Sequence, residues 1–87
     1  MWRVEFTAKA EKELLKLDTT AALRITRTLR TRIAAADDPR ELGEPLVGQF
    51  EGLWRWRVGD YRVLGKVEEG AVVILVVRVA HRRHVYD

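Results

Sequence analysis

The chain has 87 residues, 47% of them apolar and 33% charged, a formal net charge of +3 and no cysteine. That length suits one domain spanning 1–87, and the missing cysteine excludes a disulfide framework, a thiolate metal site and a cysteine nucleophile. The positive excess lies in one part: residues 1–51 carry nine Lys/Arg and nine Asp/Glu, whereas residues 52–87 carry seven basic and four acidic residues.

Residues 2–6 alternate in polarity and predict a short strand. Thr7 can N-cap a helix running to about Leu17, with Ala10, Leu14 and Leu17 on one face. Asp18 or Thr19 can cap a second helix, in which Ala22, Ile25, Leu29 and Ile33 follow helical spacing and Arg24, Arg27, Arg30 and Arg32 lie on the other face. Asp37-Asp38-Pro39 is expected to stop it, and the short link makes the two helices an antiparallel hairpin. Residues 39–52, rich in Gly and Pro, read as a loop.

Three strands follow, at residues 53–58, 61–68 and 71–79, separated by Gly59-Asp60 and Glu69-Gly70, two dipeptides suited to two-residue hairpin turns. The last strand lacks alternation and is expected inside the sheet. The class is therefore α+β, ordered β-α-α-β-β-β, with a helical hairpin packed on a small, mainly antiparallel, four-stranded twisted sheet. No apolar leader opens the chain, and the longest apolar run, residues 71–77, is too short to cross a bilayer. A cytoplasmic protein with no membrane partner is expected.

If Gly59-Asp60 is a two-residue turn, Arg57 faces Arg62 and Arg55 faces Leu64. Arg55, Arg57, Arg62, Leu64 and Lys66 then share one face of the sheet, with Trp54, Trp56, Val58, Tyr61 and Val63 on the other. Like charges placed opposite each other destabilise a sheet, so the arrangement suggests an absent anion. Arginine suits phosphate because its planar fork binds two oxygens at once. The plainer reading is that these long side chains splay into water. The tail adds His81, Arg82, Arg83, His84 and Tyr86. No zinc-site spacing, glycine-rich phosphate loop, nucleophilic serine motif or paired carboxylates stand in the sequence, so any chemistry must use Arg, His, Tyr or Lys.

The element order, the run LWRWRVGDYRVL at residues 53–64 and the ending HRRHVY at residues 81–86 resemble the toxins of the RelE/ParE superfamily. The resemblance covers nearly the whole chain. It implies the RelE-like fold and a toxin of a type II toxin–antitoxin system, held in a hetero-oligomer by a RelB-like antitoxin. RelE-type members cleave mRNA in the ribosomal A site without metal or cofactor. The ribose 2′-OH attacks the adjacent phosphate, leaving a 2′,3′-cyclic phosphate and a free 5′-OH.

Carried onto this chain, Arg62 and Arg82 match the arginines at the scissile phosphate, and Arg57 joins them in stabilising the phosphorane. Tyr86 is the candidate base for the 2′-OH, with His81 as the second candidate acid or base. Arg55, Arg57, Lys66 and Arg83 would contact mRNA or ribosomal RNA. Arg55 and Arg57 stand where lysines are familiar, which keeps the charge and removes a proton donor. ParE-like inhibition of DNA gyrase, or a degenerate toxin that only binds antitoxin, are the alternative readings.

Overall fold

The computed structural model describes residues 1–87. Strand β1 (Arg3–Phe6) turns Val4 and Phe6 onto the core, while Arg3 and Glu5 stay exposed. Helix α1 (Ala8–Lys16) begins where the Thr7 hydroxyl accepts the Ala10 N–H at 3.2 Å. Helix α2 (Thr19–Thr28) begins in the same way at Asp18, whose carboxylate accepts the Ala21 N–H at 2.8 Å. Each cap satisfies an amide that the first helical turn leaves without a partner.

The second helix does not run unbroken to Asp37, as its periodicity predicts. After Thr28 it widens into a π-helical turn, Leu29–Ile33, closed by the Ala34 N–H donating to the Leu29 carbonyl at 2.7 Å. Within it the Thr31 hydroxyl donates to the Arg27 carbonyl, also at 2.7 Å, competing with the main-chain ladder. The extra width brings Leu29, Ile33 and Ala34 together onto the core.

The other strands are β2 (Glu44–Pro45), β3 (Trp54–Val58), β4 (Tyr61–Glu68) and β5 (Val73–His81). The sheet runs β1-β5-β4-β3-β2. The expected four strands are present and mainly antiparallel, with β5 inside, parallel to β1 and antiparallel to β4. The fifth strand, β2, comes from the segment predicted as loop. It pairs with β3 through Glu44–Arg55 and Pro45–Trp54.

The Gly59-Asp60 turn forms as predicted: Val58 faces Tyr61, and Gly59 has φ 58°. Asp60 keeps a negative φ, as a II′ turn requires. The second turn differs. Glu68 pairs with Val73, so the loop has four residues, and its positive φ (55°) falls on Val72 instead of Gly70. Strand β5 consequently starts at Val73, not at residue 71, and extends to His81.

A bulge then resets the phase of β5. Leu64 faces Arg78 while Gly65 faces Val76, so Val77 is an extra residue. Simple alternation from Ile74 and Val76 puts Arg78 in the core. The bulge puts Val79 there instead and turns Arg78 to the arginine face. The core joins Ile25, Leu29 and Ile33 to Trp56, Val58, Val63, Ile74, Val76 and Val79. No helix is long and apolar enough to cross a membrane.

Candidate active site

The sheet face turned away from the helices carries the cluster that counting predicts. Arg57 and Arg62 are direct cross-strand partners, and Arg55 and Leu64 form the neighbouring pair. Arg55 and Arg62 are therefore diagonal neighbours, roughly 7–8 Å apart at Cα. Lys66 lies further along the same face, exposed and opposite Leu75.

Each arginine is held differently. Arg55 is only 20% exposed at its side chain. Its Nη1 donates to the Tyr86 hydroxyl at 2.6 Å, its Nη2 lies 2.9 Å from Glu44, and its Nε is buried without an acceptor. The Tyr86 hydroxyl, and then Glu44, hold the Arg55 guanidinium above its ordinary pKa. Arg55 is thus committed to protein partners, and what it fixes is the position of Tyr86.

Arg57 reaches the same Glu44 oxygen at 3.2 Å from a more exposed position. Arg62 folds back so that Nη1 donates to the Gly59 and Tyr61 carbonyls, 3.0 Å each. That contact leaves the Nε/Nη2 edge of its guanidinium free, the edge that binds a phosphate side-on. The Arg82 N–H donates to the Asp60 carbonyl at 2.8 Å, and its guanidinium lies 4.0 Å from the Asp60 carboxylate. The hairpin tip therefore gathers Arg62 and Arg82 from the sheet side. From the helical side, Arg24 lies so close that a Cβ added to Gly59 would meet its Nη1 at 2.7 Å. Arg83 is exposed in the tail.

The tail folds back over this face. Val85 is fully buried, and the Tyr86 ring packs at 5.5 Å and 58° against Phe50. His81 goes elsewhere. It faces Tyr61 across the strands, with the two rings edge-on at 5.7 Å, and Tyr61 packs on the core. His81 therefore lies on the helical side of the sheet, because strand parity opposes it to Arg62 and Ala80. Its Nδ1 accepts the Arg83 N–H at 3.2 Å, which puts the proton of the neutral ring on Nε2. The structure brings together Arg55, Arg57, Arg62 and Tyr86, with Arg82 at the hairpin tip, and does not bring His81 to them.

Glu44 was invisible to sequence reasoning. It lies in a Gly/Pro-rich loop, and only the pairing of β2 with β3 places it across from Arg55. Arg55 first, then Arg57, hold its carboxyl below the usual carboxylate range, so it is ionised at neutral pH. It relieves part of the repulsion that the facing arginines create. Phe50 and Arg24 were missed for the same reason: their partners are distant in sequence.

A family described as "ParE toxin of type II toxin-antitoxin system, parDE" matches residues 4–86. The chain is similar to the Mycobacterium tuberculosis protein "Toxin RelE", 33% identical over 78 residues, covering 78% of this chain and 80% of that protein. It is also similar to "Toxin RelG" of the same organism, 26% identical over 85 residues, covering 98% and 95%. Among solved structures, the toxin–antitoxin complex RelBE2 from Mycobacterium tuberculosis superposes with a TM-score of 0.84 at 26% identity, covering 93% of this chain and 91% of that one.

Proposed function

Since the chain belongs to the RelE/ParE superfamily of toxins of type II toxin–antitoxin systems, we propose that it is a ribosome-dependent mRNA endoribonuclease of RelE type. The observation that carries this reading is the Arg57–Arg62 pair on one open face, with the Tyr86 hydroxyl held beside it by Arg55. In the step proposed, the 2′-oxygen attacks the adjacent phosphorus while Tyr86, as general base, takes its proton. The P–O5′ bond breaks, and the leaving oxygen takes a proton from water. The products are a 2′,3′-cyclic phosphate and a 5′-OH.

Arg57, Arg62 and Arg82 would balance the charge of the phosphorane, and preorganised cations of this kind are worth two to three orders of magnitude each, on the order of 3–4 kcal/mol. Tyr86 is preferred to His81 as the base because His81 lies on the other face. Arg83 and Lys66 would hold flanking phosphates of mRNA or ribosomal RNA. The side chains named supply every charge the step requires, and no cofactor enters it.

A RelB-like antitoxin, as in the solved relative's complex, is the partner this reading gives, in a hetero-oligomer. The groove between the helices, lined by Leu14, Leu15, Leu17, Ala22 and Leu23, suits an apolar helix. Leu15 and Leu23 are 75% and 59% exposed there without a partner.

Toeprinting on purified bacterial ribosomes is the direct test. Cuts confined to the A site, absent on free RNA and lost in Arg82→Ala and Tyr86→Phe, are expected. The matched family's ParE name keeps gyrase inhibition as the second reading. A folded protein that makes no cuts but blocks DNA supercoiling would replace the first with the second.

Glu44→Gln tests whether Arg57 binds RNA. It removes the carboxylate that Arg55 and Arg57 share. Binding of a short single-stranded RNA should tighten, and the plot of log K against log salt should steepen by about 0.7, one phosphate contact. An unchanged slope would put Arg57 outside the RNA path.

A further inference from the structure

Beyond Val76, β5 runs free of β1, since their pairing ends at Phe6 and Val76. Glu13 of α1 closes this open edge. One of its carboxylate oxygens accepts the Val79 N–H at 3.0 Å, and the other accepts Arg78 Nε at 3.2 Å. Both side chains are largely buried, at 20% and 16% exposure. The Arg78 guanidinium then extends away from α1, and its Nη1 donates to the main-chain carbonyl of Asp87.

Arg78 can make both bonds only because the Val77 bulge turns it off the core face. It is the third member of a cross-strand row, Arg55–Leu64–Arg78, and the tail lies over that row. The tail is thus fastened on both sides of Tyr86: Val85 is buried before it, and Asp87 is tied to Arg78 after it.

We infer that Glu13 and Arg78 are positioning residues that hold the Tyr86 hydroxyl in its place against Arg55. This rests on the reading of Tyr86 as the base. Neither residue touches the substrate in this role. Arg78 acts through Asp87, and Glu13 acts by aiming Arg78 and setting the height of β5 against α1. A carboxylate that takes both the Arg78 Nε–H and a main-chain amide leaves that guanidinium little freedom to turn. A base displaced by even 1 Å loses much of its rate, whereas phosphate binding, carried by other arginines, stays intact.

The test is a double-mutant cycle on ribosomes programmed with mRNA, using the full chain and single-turnover rates. Arg78→Ala should lower the maximal cleavage rate at least tenfold while the half-saturating ribosome concentration stays within twofold. In a Tyr86→Phe background the same substitution should change the rate by less than twofold. Glu13→Gln keeps an acceptor for Val79 and weakens only the hold on Arg78, so it should lose about threefold in rate with the fold preserved. It carries the test if Arg78→Ala does not fold.

Independent losses that multiply in the double variant would overturn the proposal, as would a full rate per folded molecule with only a lowered melting temperature. Wild-type cleavage by Tyr86→Phe alone is a different failure. It removes Tyr86 as the base, and the positioning role falls with it.

Discussion

Arg62→Ala will lower the single-turnover rate of mRNA cleavage on the ribosome by about 10²–10³-fold, and Arg62→Lys will recover little of that loss. The reason is in how the guanidinium is used. Nη1 is spent on the carbonyls of Gly59 and Tyr61, which locks the group onto the hairpin turn. The Nε/Nη2 edge remains as a two-donor fork without a protein partner. An ammonium group cannot grip two carbonyls and present a planar fork at once, so lysine restores the charge and not the geometry.

In the proposed step the fork is fixed before the phosphorane forms, so the extra negative charge would need no reorganisation of it. The measurement is a toeprint time course at saturating toxin, with circular dichroism to establish that each variant folds. Arg62→Lys at the wild-type rate would mean that a point charge suffices, and the fork would lose its role. The turn carries the same logic one step back. Gly59 occupies a left-handed conformation with Arg24 packed against it, so the anchor of Arg62 depends on a residue that no side chain can replace without strain.

What was legible in the sequence divides along one physical line: whether a residue's place is set by its neighbours in the chain or by partners far from it. Thr7 and Asp18 cap helices by reaching three residues ahead: Thr7 is the cap the sequence predicts, and Asp18 is one of the two residues, with Thr19, that it offers for the second helix. Gly59-Asp60 specifies its own turn, and once the turn is known, alternation carries Arg55, Arg57 and Arg62 to one face. The π-turn, the bulge at Val77 and the four-residue loop before β5 have no local signature. Packing selects them: Leu29, Ile33 and Ala34 on one side, and Ile74, Val76 and Val79 on the other, can all be buried together only with those irregularities in place.

Arg78 shows the consequence for the site. Simple alternation puts it on the core face near its rim, and one inserted residue makes it a link between α1 and the tail. Glu44, Phe50 and Glu13 came into view only with the tertiary structure, since each meets its partner across 11 or more residues of chain. His81, the second candidate acid or base, lies on the other face for a simpler reason. A histidine one residue before Arg82 reads as part of the same cluster until the strand is seen to run as far as position 81.

Trp56→Ala should destabilise the protein by about 3–5 kcal/mol, enough to leave much of it unfolded at 37 °C. A domain of this length has a total stability of roughly 4–13 kcal/mol. Trp56 is fully buried between the sheet and the helices, and its indole N–H donates to the Pro39 carbonyl at 2.9 Å. Two glycines close around it. A Cβ at Gly43 would meet its Nε1 at 2.8 Å, and a Cβ at Gly65 would meet its Cζ3 at 3.0 Å. Walls that close cannot collapse far inward, because their backbones are already tied into β2 and β4, so the truncation leaves most of the indole volume empty.

Part of that cost, about 1–3 kcal/mol, comes from the Pro39 carbonyl left buried without a donor, and Trp56→Phe should show this part nearly alone. Urea denaturation of the three proteins resolves the two contributions: Phe should lower the midpoint modestly and Ala should lower it far more. Equal midpoints for wild type and Trp56→Ala would mean that β2 and the loop before it can move in to fill the space. Glu44 would then be free to leave Arg55. The position of the arginine face over Trp56 makes this consequential, since Arg55 and Arg57 flank that residue on β3 and take their spacing from the strand it anchors.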